Sequence, residues 1–160
     1  MKRFGCFGSC PNYDITFQQD GKITLEQVVI DGGIWKKTVG KTEEKLSDDQ
    51  IKQLVSEIEA ANFFSFDDAY NNDSTDCQNP VKQKAGVILF IKLRGKEKTI
   101  KHYFGCRLSE KMIEHNPVNI KIGKDFLPEV FPQELYTLEM KIDEIGETKR
   151  WLEKENKFKQ

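Results

Sequence analysis

Between Arg3 and Pro11 the chain packs two cysteines, two glycines and a proline into nine residues (R-F-G-C-F-G-S-C-P) and then runs directly into an alternating stretch. A segment so rich in glycine, proline and cysteine cannot continue a helix. Cys6 and Cys10, with three residues between them, also invite a covalent ring or a metal. Whatever fold follows must accept a tight, constrained turn at its beginning. After it, Tyr13, Ile15 and Phe17 alternate with polar residues, the period of a half-buried strand.

The next signals are those of antiparallel pairing. Asp20-Gly21 tolerates the positive φ of a hairpin turn. Ile23, Leu25 and the run Val28-Val29-Ile30 predict a second strand, Asp31-Gly32-Gly33 a second turn, and 34–41 a third strand anchored by Trp35. Ser47 and Gln50 form a capping-box pair ahead of Ile51, Leu54, Val55, Ile58 and Ala61, an apolar face at helical spacing that ends near Asn62. Phe63, Phe64 and Phe66 then supply core plugs. Residues 67–83 are polar and without period, a surface loop. Val87, Leu89, Ile91 and Leu93 share one face of a fourth strand, Arg94-Gly95-Lys96 turns, and Ile100, His102 and Phe104 share one face of a fifth.

Beyond Leu108 the pattern weakens. A short helix is predicted over 109–115 and an irregular excursion over 116–131. Pro132 suits a first helical turn, where its missing N–H is harmless. Leu135, Leu138, Ile142 and Ile145 give a closing helix its apolar stripe, Trp151 and Leu152 fold back on the core, and 154–160 form a frayed tail. The order βββαββα with hairpin-length links predicts one α+β domain over 1–160: an antiparallel sheet of about five strands with helices packed on one face.

Composition narrows the function. The 160 residues carry 25 Lys and Arg against 26 Asp and Glu, a net charge of −1, so no basic stripe argues for nucleic acid. No apolar run reaches the ~18 residues that span a bilayer. Met1-Lys2-Arg3 meets Cys6 with no apolar signal core, so the expectation is a mature chain from which an export or lipid-anchor segment has been removed. G-x-S-x-G, P-loop and G-x-G-x-x-G patterns are absent, and neither His102 nor His115 has a nucleophile beside it, so no catalytic residue is assigned. The acidic stretch Asp67, Asp68, Asp73, Asp76 lacks the spacing of a calcium loop and reads as solvated.

The four cysteines leave three readings open. In the first, two disulfides form. Cys6–Cys10 would close a small ring worth about 2 kcal/mol, and Cys77–Cys106 would tie the polar loop to the fifth strand for about 3.5 kcal/mol on the chain-entropy estimate. Four cysteines allow three pairings. In the second, Cys6, Cys10, His102 and Cys106 hold zinc, which leaves Cys77 over. In the third, Cys6 and Cys10 are a thiol redox pair, with N–H groups of the Gly8-Ser9 turn supporting a thiolate. His102, between Ile100 and Phe104, is either a packed core histidine or a polar anchor holding Asp76. Asp76, His102 and Tyr103 are the candidate binding residues, with Trp35 and Tyr103 as aromatic contacts.

The segment C-F-G-x-C-P-x-Y, here Cys6-Phe7-Gly8-Ser9-Cys10-Pro11-Asn12-Tyr13, resembles the signature of a bacterial domain family of unknown function found mainly in exported proteins and lipoproteins. Asp20-Gly21, the Phe63 to Tyr70 pattern, Thr75-Asp76, His102-Tyr103 with Gly105, and the helix from Pro132 through Asp143 to Arg150-Trp151 follow in the same order. The stretch from about Cys106 to Phe131 is longer than the family pattern. The resemblance implies export and a non-catalytic role, and supplies no reaction and no cofactor. The expected protein is therefore a disulfide-stapled module of the cell envelope, periplasmic or secreted. It would bind an envelope protein or small ligand, either on the sheet face away from the helices or at the sheet end where Cys10, Asp76 and His102 gather.

Overall fold

The computed structural model describes residues 1–5, 12–31, 34–71, 77, 84–105 and 131–157, the backbone alone being described for 28–31, 34–39 and 153–157. Its strands are β1 (Lys2–Phe4), β2 (Asn12–Phe17), β3 (Lys22–Asp31), β4 (Ile34–Lys45), β5 (Ala69–Tyr70), β6 (Gly86–Leu93) and β7 (Lys96–Tyr103). Three helices are described: α1 (Asp48–Ala60), α2 (Gln133–Ile145) and α3 (Thr148–Lys157), with a single 3₁₀ turn at Phe63–Ser65. The α+β class and the long elements follow the periodicity of the sequence.

The sheet is larger than the expected five strands and is not wholly antiparallel. Its seven strands lie in the order β4-β3-β2-β1-β6-β7-β5. The first addition is β1. It lies between β2 and β6, with Arg3 opposite both Tyr13 and Val87, so the N-terminal residues join the two hairpins. The second is β5, which pairs in parallel with β7 through Ala69–Lys101 and Tyr70–His102 and makes the sheet mixed. Strands this short carry no readable period, and sheet pairing alone reveals them.

Two turns show why their residues are there. Gly21 has φ +83° and Gly95 has φ +78°, values that cost glycine little and side-chain-bearing residues much. Arg94 shares the left-handed region at φ 49°, which gives the β6–β7 hairpin two consecutive positive φ angles, the twist that a two-residue connection requires.

The buried face of the sheet and the helices share one core. Ile15, Leu25, Val87, Leu89 and Ile100 meet Leu135, Leu138, Ile142 and Ile145 from α2 and Ile58 from α1. Residues between them in the strands, such as Thr16, Phe90, Thr99 and Lys101, are exposed. Phe63 is wholly buried, with Phe64 and Phe66 edge-on to it, as their clustering after the helix predicts. Pro132 sits one residue earlier than expected. It is the N-cap of α2, extended at ψ 131°, and its carbonyl accepts from the N–H of Leu135 and Tyr136. At the other end of α2, Gly146 lies so close to Ile15 that a Cβ there has no room. The helical backbone of α3 continues past Glu153 to Lys157, with Trp151 and Leu152 packed on the core.

The cap of α1 is built as the sequence predicts. The Gln50 backbone N–H donates to Ser47 Oγ at 3.2 Å, and the Ser47 N–H donates to Gln50 Oε1 at 2.9 Å. The Gln50 amide also reaches the Ile145 carbonyl, linking the start of α1 to the end of α2. Ser47→Ala is expected to lower stability by about 1 kcal/mol in urea denaturation, with an unchanged m-value; no measurable loss would show that the cap is not holding the helix.

Candidate functional site

Strand register sets a polar row across the core. Gln27 pairs with Tyr13, Tyr13 with Arg3, Arg3 with Val87, Val87 with His102, and His102 with Tyr70. Directly paired residues share a face of a sheet. One transverse line thus brings Tyr13, Arg3 and His102, from strands far apart in sequence, under a single helix. That helix answers with two carboxylates one turn apart, Glu139 and Asp143. Asp143 accepts from Arg3 Nε and from the Tyr13 hydroxyl, each at 2.6 Å. The Arg3 and Asp143 side chains are 15% and 14% exposed, so their charges are largely removed from water. Burial alone would lower the Arg3 guanidinium, but Asp143 holds the net shift upward. Burial and the Asp143 charge push the Tyr13 phenol up, so it remains a donor.

The second carboxylate serves the histidine. His102 Nδ1 and Glu139 Oε1 are 2.8 Å apart, and both side chains are 0% exposed. Neither group is fully satisfied: His102 Nε2 and Glu139 Oε2 are buried without a hydrogen-bond partner. Burial raises the Glu139 carboxyl, and the hydrogen bond from His102 and the charge of Arg3 oppose that rise without cancelling it. Rings close around the imidazole: Phe131 at 4.0 Å and Phe104 at 4.6 Å between centroids, with Tyr136 edge-on to Phe104 at 5.9 Å. The result is a buried imidazole–carboxylate pair in an aromatic surround.

His102 is thus a packed, hydrogen-bonded histidine, and the partner of its Nδ1 is Glu139; Asp76 lies outside the described residues. Tyr103 is half-buried at the end of β7, and its hydroxyl accepts from the Lys84 N–H at 3.2 Å. The Trp35 side chain is not among those described. Its backbone pairs with Ile30, in the part of the β3–β4 hairpin that extends past the last β2 pairing, Asn12 with Val28. The 106–131 stretch, predicted as a short helix and an excursion, lies outside the described residues up to Phe131.

Glu139 and Asp143 were the residues missing from the candidate set, yet they had a signal. The apolar stripe Leu135, Leu138, Ile142 extends at i+4 and i+8 onto Glu139 and Asp143, which puts carboxylates at core positions of an amphipathic helix. Acidic residues there must find partners or neutralise.

The register also places the chain's loops. β1 ends at Phe4, opposite Gly86, which pairs with Tyr103. Asn12, where β2 begins, lies at the same end, and Tyr70, parallel to β7, points its chain the same way. The segments 6–11, 72–83 and 106–130 therefore all leave from and return to one end of the molecule, the end closed by Phe104, Phe131 and Tyr136. These segments carry every cysteine of the sequence. Cys77, the one described, is 6% exposed and disulfide-bonded. Cys6, Cys10 and Cys106, and with them the zinc set, lie outside the described residues.

Among the described residues no cluster of three or more His, Cys, Asp or Glu is placed to hold a metal, and no helix is long and apolar enough to cross a membrane. A surface hollow lined by Asp20, Lys22, Glu43, Glu44 and Lys45 lies on the β3–β4 side, and its Lys22 and Lys41 neighbours are already paired with Glu43. It offers no convergent chemistry. Comparison with known proteins finds a family model that matches residues 1–121, while no curated protein and no solved structure matches. The match ends before α2, so the carboxylates that complete the polar row come from outside the matched region.

Proposed function

The chain belongs to the DUF6438 family, a domain of unknown function, and from that premise we propose a disulfide-stapled, non-catalytic binding module of the cell envelope. Its recognition surface is the sheet end from which the three cysteine-bearing segments leave. The observation that carries this reading is Cys77, buried and disulfide-bonded, in a segment that leaves the sheet at the same end as those holding Cys6, Cys10 and Cys106. Disulfides persist in oxidising compartments, which favours export. Loops held on a rigid sheet are the usual carriers of recognition. The pairing we assign is Cys6–Cys10 and Cys77–Cys106, which closes the first turn on itself and ties the two longer segments together beside Tyr103. Asp76, in the Cys77 segment, and Tyr103 then contribute polar and aromatic contacts, while His102 supports the surface from below. The ligand class is an envelope protein or a small molecule with an aromatic or polar group.

The reading is tested by intact mass after thiol alkylation, before and after reduction, on protein recovered under native conditions. No alkylation before reduction and four adducts after it are expected, with the two assigned links seen in non-reduced peptide maps. Free thiols with one equivalent of zinc would replace this reading with a metal-held module. Two thiols that oxidise and reduce reversibly at an accessible Cys6–Cys10 pair would instead make it a redox protein.

A further inference from the structure

We propose that the His102–Glu139 pair is a proton-operated clamp, tight while the pair holds one shared proton and slack when that proton is lost, which fastens α2 and its Tyr136 over the aromatic end of the sheet. What the clamp uncovers rests on the binding surface proposed above; the clamp itself does not.

The argument starts from the atoms that lack partners. Nδ1 and Oε1 satisfy each other at 2.8 Å, but Nε2 and Oε2 are enclosed and unpaired. With no extra proton, a neutral imidazole donates to a carboxylate that keeps a full negative charge in a dry site. With one proton added, the pair is neutral as a whole, whether drawn as imidazolium with carboxylate or imidazole with carboxylic acid. A buried, water-free environment favours the neutral pair.

The neighbours do not replace that proton. From β1, Arg3 directs Nε to Asp143 and its terminal nitrogen toward Met140 Sδ. From β2, Tyr13 donates to Asp143. Asp143 on α2 and Arg3 on β1 cancel one another to first order. Among the described residues, the other groups beside the imidazole are the rings of Phe104 and Phe131, with Tyr136 behind them, and Tyr70, which pairs with His102 across the sheet and whose hydroxyl accepts from the Asp67 N–H. Arg3, already engaged by Asp143, offers a deprotonated pair only a partly cancelled charge.

The direction of the effect follows. Unfolded Glu and His release their protons near pH 4.3 and 6.5. The folded Glu139 carboxyl is raised by burial. A folded pair with one shared proton and an unfolded Glu and His hold equal numbers of protons between the two unfolded values, so the stabilisation is level there and is lost as the pH climbs from the unfolded histidine value through that of the folded pair. Tyr136, Glu139 and Asp143 share one face of α2, so a loosened Glu139 anchor also frees the ring that covers Phe104.

The test is hydrogen exchange by mass spectrometry on the full chain from pH 5.5 to 8.5, corrected for intrinsic rates. Protection of α2 should fall with rising pH, by up to about tenfold per pH unit for one linked proton. Protection of the β2–β3 hairpin should change much less, and Glu139→Gln should flatten the α2 response. A flat α2 profile in the wild-type chain, an equal loss in β2–β3, or a Glu139→Gln chain that keeps the slope would each overturn the clamp. If that variant does not fold, the wild-type comparison of α2 with β2–β3 decides alone. Because none of these readouts depends on thiols, failure here is separable from failure of the alkylation test.

Discussion

Asp143→Ala is expected to lower the unfolding free energy by about 4 kcal/mol, read from urea denaturation monitored by tryptophan fluorescence. The reason is that one carboxylate answers two buried groups. Arg3 Nε and the Tyr13 hydroxyl each lie 2.6 Å from Asp143. Removing it leaves a largely buried guanidinium without its counter-charge and a phenol without its acceptor. Stranding a buried charge costs far more than the intact pair contributes. The companion experiment separates those two quantities. Arg3→Met together with Asp143→Leu removes both charges, and that chain should recover most of the loss. If the single variant loses less than ~1 kcal/mol, water reaches Arg3 and the row is a surface ion pair rather than a core device. If the double variant is as unstable as the single one, the packing of these side chains matters and their charges do not.

Cys77→Ser is expected to cost about 3.5 kcal/mol in the same assay, the chain-entropy value for a ring of the size that Cys106 would close. Cys77 is buried, so the serine hydroxyl adds a small polar penalty in the same direction. Reduction of the wild-type chain should cause a loss larger by about 2 kcal/mol, because the Cys6–Cys10 ring opens as well. Reduction of the Cys77→Ser chain should then remove only about 2 kcal/mol more. Were Cys77→Ser as stable as wild type, the bond would be a bystander. Were it to unfold with no further response to reductant, Cys6 and Cys10 would not be linked to each other, and a crossed pairing would replace the one assigned.

These experiments address parts of the molecule that differ in how well a sequence announces them. The helical stripe Leu135, Leu138, Ile142, Ile145 and the alternation Val87, Leu89, Ile91 are periodic over whole elements, and all seven residues are buried as that period predicts. The Ser47–Gln50 cap is local chemistry within one turn, and it forms. By contrast, β1 and β5 have three and two residues, shorter than any period can resolve. They exist because the neighbouring strands offer unpaired N–H and C=O groups, a property of neighbours and not of their own residues.

The candidate site divides along the same line. His102 on the apolar side of β7 was legible, as was its packed character. Its partner was legible only in outline, as a carboxylate at a helix position reserved for core residues. The pairing of His102 with Glu139 depends on how α2 lies across the strands, and 37 residues separate the two in the chain.

By itself, then, the sequence determined what short-range physics governs: the α+β class, the register-defining hairpin turns, the cap of α1, the buried faces of the long elements and the set of four cysteines. The tertiary structure alone decided the insertion of β1 between two hairpins, the parallel β5 edge, the transverse row that gathers Tyr13, Arg3 and His102, and the helix carboxylates that satisfy them. Local order is encoded in neighbours along the chain. The polar row is created by strand register and helix placement, which bring together groups whose need for a partner is visible in the sequence while the partner's identity is not.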